Sequence, residues 1–572
     1  MNDRRLLAAL ALIMVIAFVP TMLIRRQVPP PPAVTRDTLG PPTPTPATLA
    51  PSATPVPGAP AQPAVHSDST TIALAPADTV VIRSRLYRYT VSTRGGEIIS
   101  SRFLRYKSLA ATDHGDTLEL LPQGEGLLGG TLIAGGDTLR ISQIAFTASA
   151  DSLDTTTSPA TLTLHGQSGS YTVDLTYNFS ATDYRIGVAG HITGLGPAGG
   201  TLLVSLGDGF RPTEATASDN YLQSGIVTKL EKTSVTLYSK LKPRQLTTLS
   251  GPFEWAAVKS KYFVAGMFAY DSSAAQGVKG RIGGVQAFAA DTVSRPLRAQ
   301  VAASLAVPSD GAFQLTMFLG PMEYDRLSHM GRDFDDVNPY GWAWLRPIIR
   351  PIAVVIRSIF VWMHTALGLG YGLVIVIFGL LVRILLWPLS RIAMRSMARM
   401  QAVQPQLTAL QAKYKDNPQL LQQETFKLYK EHKVNPFGGC WPMLLPYPVL
   451  VAVFFVLAYT IEVRGVAFLW MPDLARADPL YLIPILMAAS MYAVSRIGQM
   501  GLPPNPQTKM MTWLMPVFML VFFARFASGL NLYYAIQNLA SIPQQWLVVK
   551  ERMKMQPSLA PVPAVAGSKR KS

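Results

Sequence analysis

Charge is withdrawn from a few long apolar runs in this chain, and that segregation decides its solvent. A hydrocarbon core about 30 Å thick needs roughly 20 predominantly apolar residues in a helix. Such runs occur at Leu6–Ile24 and, after a long interval, at Tyr371–Ser390, Trp441–Ile461, Leu480–Val494, Met511–Phe526 and Leu530–Val549. Over the whole chain 49% of residues are hydrophobic and only 15% charged, and nearly all the charge lies between the runs. Several runs are short or contain proline, which neighbouring helices must accommodate. The pattern predicts a multi-spanning membrane protein with six spans.

The first run follows Arg4 and Arg5 and ends at Arg25 and Arg26 with no small-residue cleavage site. It reads as a retained anchor over 1–26 rather than a removed signal peptide. Residues 27–77 are rich in Pro, Ala and Thr, a composition that buries too little apolar surface to fold, and read as a disordered linker. From 78 to 338 the period becomes two. Tyr171, Val173, Leu175, Tyr177 and Phe179 alternate with polar residues, a turn signal follows, and Tyr184, Ile186, Val188 and Ile192 resume. Such runs predict hairpins of an antiparallel sandwich with one wet face. Cys440 is the only cysteine, so no intramolecular disulfide holds this domain together.

Helical spacing begins after Asn338. Arg346, Arg350 and Arg357 share one helix face beside Ile349, Ile352, Val355, Ile356 and Ile359, which fits a helix lying in the membrane interface. An ordinary surface helix is the alternative, and Pro347 and Pro351 predict a start near Pro351. Between the second and third runs, 391–439 is polar, with helical spacing in Leu407, Leu410 and Tyr414, a break at Asn417–Pro418, and a second helix through Leu421 and Leu428. That is a helical hairpin.

The net charge of +17 suits nucleic acid, a ribosome or a membrane surface, and its placement discriminates among them. Basic residues concentrate in the hairpin, around Arg496–Lys509 and in the tail 551–572, while the loop after Ile461 is balanced by acids. Basic residues in short connections mark the cytoplasmic side. The hairpin and both chain ends are therefore expected in the cytoplasm and the β domain outside it. Arg25, Arg26 and Arg525 sit awkwardly at outer ends.

Arg383 lies within an apolar run, flanked by Leu380, Leu381, Ile384 and Leu385. A guanidinium at bilayer depth costs roughly 2.5 to 3.5 kcal/mol on insertion scales, so it either snorkels to headgroups or faces a wet groove. Catalytic patterns are poor. Gly194, Gly196 and Gly199 have dinucleotide-motif spacing interrupted by Pro197. Ser239 and Lys242 form a Ser-x-x-Lys without supporting motifs, and no histidine pair has metal-ligand spacing. No enzyme activity, metal, cofactor or small-molecule substrate is expected. Methionines recur at Met394, Met397 and Met400 and at Met511, Met515 and Met519, either as core packing or as a pliable surface for varied apolar partners.

Several blocks are similar to one family: VRILLWPLS around Arg383, SMARMQAVQPQL opening the hairpin, LYKEHKVNPFGGCWPMLL, FLWMPDLARADPLYLIPIL and ASGLNLYYAIQNLASIPQQ. STRGGEIISSRFLRYKS, FEWAAVKSKYFVAG and FLGPMEYDRL add to it outside the core. In order and spacing the chain resembles the YidC/Oxa membrane insertases from near Val80 to Lys550. The resemblance implies a bacterial inner-membrane protein with a periplasmic β-supersandwich joined to a five-helix insertase core. It inserts and helps fold nascent membrane proteins, alone or with the Sec translocon, with the ribosome as a further partner through the hairpin and tail. By matching position, Arg383 and Tyr534 would line a hydrophilic groove, with Asn531 and Gln537 as further polar groups. Clients would contact Met443 and Pro446 on the third span, Met515 and Met519 on the fifth, and Met397 and Met400 in the hairpin. Departures are Gly379 where many members carry a hydroxyl, Pro446 for a common Gln, and Ala527 for a usual Pro. A polytopic solute transporter is the rival reading, but such proteins show internal repeats that are not visible here.

Overall fold

The structure is a computed structural model that describes residues 78–555 apart from 114, 270–281, 291–294, 339, 343, 389–391, 393–395, 397–402, 404–405, 416, 433–445 and 502–505. The expected anchor, linker and most of the tail lie outside the described residues. The chain divides into two compact units, one built from residues up to Lys261 with Ala265–Leu319, the other from Tyr262–Val264 with Gly320 onward.

The first unit is all β, with sheets of five, nine and six strands. Its alternating residues do what period two requires. In β1 (Tyr171–Phe179), Val173, Leu175, Tyr177 and Phe179 are buried, and β2 (Arg185–Thr193) pairs antiparallel with it, Val173 opposite Ile192 and Tyr177 opposite Val188. Aromatic rings fill the interior: Tyr87 stacks on Tyr89 at 4.0 Å, and Phe103 meets Tyr184 edge-on at 5.6 Å. Buried hydroxyls find carbonyls, as burial demands: the Tyr89 hydroxyl donates to Leu319 O and that of Tyr177 to Gly96 O, both at 2.7 Å. The glycine-spaced segment 194–199 is the loop leaving β2, with Gly194 and Gly199 at positive φ.

The second unit is helical. In order come α1 (Arg346–Leu367), α2 (Tyr371–Leu385), α3 (Pro418–Glu431), α4 (Pro446–Tyr459), α5 (Leu482–Gly498), α6 (Pro506–Phe523) and α7 (Ser528–Met555). Helix α1 begins at Arg346, a full turn before the expected start, and runs through Pro351. A proline so near the N-terminus removes one backbone donor, and the first turn is held by fully buried Ile349 and by Arg350, which pairs with Asp335 at 2.7 Å and Asp336 at 3.2 Å. Helix α5 starts after Leu480 because the Asp478 carboxylate caps the chain there, accepting from Leu480 N at 3.0 Å and Ile483 N at 2.8 Å. Helix α3 opens on Pro418 with the Asn417 side chain accepting from Leu420 N at 3.1 Å, and its Leu428 packs with Val403 and Leu407 of the hairpin's first arm.

Among the described helices only α1 is both long and apolar enough to cross a membrane unaided. Two of its arginines, Arg350 and Arg357, are paired with carboxylates. Arg357 is buried and bidentate to Asp325 at 3.0 and 3.1 Å, and it also donates to Glu462 in the loop after α4. The Tyr324 ring lies 5.1 Å from its guanidinium. Burial raises the Glu462 carboxyl above the usual range against the pull of Arg357. The pair therefore bolts α1 to the α4 end of the bundle. Removing one partner of a buried pair strands the other charge and costs about 3–5 kcal/mol. Arg357→Met is expected to speed amide exchange across α1 and 461–466, read by hydrogen–deuterium exchange of the full-length protein, and adding Glu462→Gln is expected to restore part of the protection.

Candidate functional site: a cavity among four helices

Helix α2, about 22 Å long at ~1.5 Å per residue, and helix α6 are both predominantly apolar. Their outward faces are greasy, with Leu385 76%, Ile384 66% and Trp513 of α6 65% exposed. Water makes that surface costly and lipid makes it free. On the inward side, Tyr371, Val374, Ile375, Phe378, Val453, Val456, Leu530 and Tyr533 form a dry core.

Below that core a cavity of about 330 Å³ opens. Its lining is Val382, Arg383 and Leu386 from α2 and its end, Tyr447 and Leu450 from α4, Val494 from α5, and Tyr533, Tyr534, Gln537, Asn538 and Ser541 from α7. The α7 residues recur at three- and four-residue intervals and so share one face.

Arg383 is half-buried there, and its Nη2 donates to Oε1 of Gln544, one turn beyond Ser541. Gln544 is itself buried and donates to Trp387 O at 3.2 Å, which fixes the amide so that its oxygen faces the guanidinium. The Arg383 Nε finds no acceptor among the described residues. The cavity lining contains no carboxylate. A neutral amide orients a guanidinium without cancelling its charge, so the cavity keeps a net positive potential at low effective dielectric.

Gln537 Nε2 donates to Gly379 O at 2.8 Å and reaches the Tyr533 hydroxyl at 3.3 Å. A Cβ on Gly379 would sit 3.1 Å from Cγ2 of Ile536, so the glycine lets α7 approach α2 closely enough for that amide to reach across. Asn538 Nδ2 bonds Ser490 Oγ at 3.3 Å and Met487 O at 3.4 Å, tying α5 to the same face.

The structure thus brings Arg383, Tyr534 and Gln537 to one cavity. Asn531 is elsewhere: fully buried, it donates to Phe523 O at 2.9 Å and caps the last turn of α6. Met515 and Met519 lie partly buried on α6 and are not among the lining residues. Pro446 is the first described residue of α4. Met397, Met400 and Met443 fall outside the described residues. The sequence reading passed over Asn538, Ser541, Gln544 and Tyr447. The first three continue the stripe begun at Tyr534 and Gln537, a spacing that was there to be read.

A greasy helical bundle around a cavity lined by Arg383 and several hydrogen-bonding side chains, carried by a chain with a separate β unit, belongs among the multi-spanning membrane proteins. Family models agree on both parts: residues 79–355 match the YidC periplasmic domain and residues 362–556 match the 60Kd inner membrane protein. The chain is 35% identical over 394 residues to a membrane protein insertase YidC of Chlorobium luteolum, covering 66% of each chain. It is 30% identical over 509 residues to that of Chlorobium phaeovibrioides, covering 82% of this chain and 83% of the relative. A crystal structure of an active YidC insertase with its first transmembrane domain resolved aligns over 83% of this chain and 95% of its own at 17% identity, with a TM-score of 0.33. The chain belongs to the YidC family of membrane protein insertases.

If the cavity is wet in a bilayer, a cysteine on its wall reacts with a water-soluble maleimide and one on the lipid face does not. In a Cys440→Ser background, Asn538→Cys is expected to label in membrane vesicles and Val521→Cys, on the exposed face of α6, to remain unlabelled.

Proposed function

We propose that this chain inserts membrane proteins by admitting the short polar end of a client segment into the Arg383 cavity while the client's apolar helix partitions into lipid. A charged segment crossing a bilayer loses its hydration, and a polar recess shortens the dry path it must cross. The apolar helix supplies the driving force as it enters lipid, so the step needs no covalent chemistry. Arg383 is the observation that carries this reading: a fixed cation held by a neutral partner gives an acidic tail a transient place to rest. The stripe Tyr534, Gln537, Asn538 and Ser541 offers neutral hydrogen-bonding groups along the same wall.

The basic hairpin and tail support a cytoplasmic side for both chain ends, with α1 in the outer interface and six spans in all. Association with the Sec translocon and with translating ribosomes, through the basic hairpin and tail, belongs to the same proposal. The exposed apolar face of α6, formed by Trp513, Val517 and Val521, suits a client helix waiting in lipid, with the partly buried Met515 and Met519 as pliable neighbours on the same helix. Family membership gives the solute-transporter reading no support.

Hydrogen bonds to charged groups contribute about 1.5 to 3 kcal/mol, so Arg383→Ala should lower insertion of clients with acidic translocated tails by roughly tenfold or more. Arg383→Lys keeps the charge and should retain part of the activity. Complementation of an insertase-depleted strain, scored by protease protection of the client tail, reads both. Normal insertion by Arg383→Ala would remove the electrostatic role.

A further inference from the structure

The loop joining α4 to α5 has a feature that insertion through the cavity leaves unexplained. Phe468 and Met471 close a two-residue turn on each other, N to O at 2.9 Å and N to O at 3.0 Å, with Leu469 and Trp470 at its corners. Leu469 sits at φ 53°, a conformation that turns normally assign to Gly, Asn or Asp. An apolar residue kept there, 70% exposed, is at odds with turn chemistry in water. Leu480 and Tyr481 are also more than half exposed, and they flank α5 at the same loop's other end.

This surface is rigid. Trp470 Nε1 donates at 3.1 Å to the Asp478 carboxylate, which is 1% exposed and caps the start of α5. The base of the loop is fastened to the start of α7: Ser528 N donates to Arg476 O at 2.5 Å, Gly529 N to Leu474 O at 2.9 Å and Ser528 Oγ to Asp473 O at 3.2 Å. That fastening brings Arg476 beside the segment carrying Arg525. Neither guanidinium meets a carboxylate among the described residues. Arg525 is also an arginine that the distribution of basic residues places on the unexpected side of the membrane.

Apolar and aromatic side chains held at fixed height beside free guanidinium groups complement the glycerol and phosphate region of a phospholipid leaflet. We propose that the segment Phe468–Leu482 is a lipid anchor. In it Leu469, Trp470, Leu480 and Tyr481 sit in the interface of the leaflet at this end of the helical bundle, and Arg476 and Arg525 meet its phosphates. The anchor fixes the depth of α4 and α5, and it goes beyond the insertion reading because it involves neither Arg383 nor a client.

The test uses the full-length Cys440→Ser protein in phosphatidylglycerol-containing liposomes, with a nitroxide on Leu469→Cys and, separately, on Leu480→Cys. Collision with oxygen should exceed collision with a water-soluble nickel chelate at both positions. Both labels should move shallower in the Arg476→Gln/Arg525→Gln variant. Nickel accessibility equal to that of a label in bulk water would overturn the anchor. So would shielding that develops only when a client or a second copy of the chain is added, since the occupant would then be protein. Depth unaffected by the two arginine substitutions would overturn the phosphate contact.

Discussion

A guanidinium held by an amide rather than a carboxylate is the interaction that defines the cavity of the helical unit. Had Gln544 been Glu, the pair would be a closed ion pair with little field beyond it. Because Gln544 is neutral and its own nitrogen is tied to Trp387 O, Arg383 is aimed without being quenched. Contrast Arg357, buried and saturated by Asp325 and Glu462. The two arginines show the two ways a protein can keep a guanidinium out of bulk water: one is structural cement, the other leaves its charge available to a visitor.

The surrounding helices are arranged to keep that charge reachable. Helix α7 turns Tyr534, Gln537, Asn538 and Ser541 to the cavity, and Gly379 lets it approach α2 closely enough for Gln537 to bridge to the backbone. The buried core of Phe378, Val456 and Leu530 packs beside the cavity.

Much of this was legible in the residues. Period-two alternation in Tyr171–Phe179 gave the β unit with its buried face, and a lone arginine among leucines and isoleucines marked the cavity. The Asn417–Pro418 break marked the hairpin because a cap and a proline act locally. What stayed hidden depended on long-range placement. Arg383 and Gln544 stand 161 positions apart, and no spacing connects them. Asn531 looked equivalent to Gln537, yet six residues at about 100° each turn it well away from that face, and it serves the end of α6 instead. The start of α1 at Arg346 likewise depended on Asp335 and Asp336, which local proline rules do not see. Family resemblance added the positions at which clients are expected, but the hydrogen bond from Gln537 to Gly379 O came only from the fold.

The most direct measurement of the central claim leaves Arg383 in place and changes only its partner. Gln544→Glu supplies a countercharge of nearly the same shape, whereas Gln544→Met removes the hydrogen bond and keeps the field. With reconstituted protein and paired clients differing only in whether the translocated tail is acidic or neutral, Gln544→Glu should depress insertion of the acidic tail selectively, and Gln544→Met should preserve the preference. Equal insertion of both tails by Gln544→Glu and the unaltered protein would contradict the account.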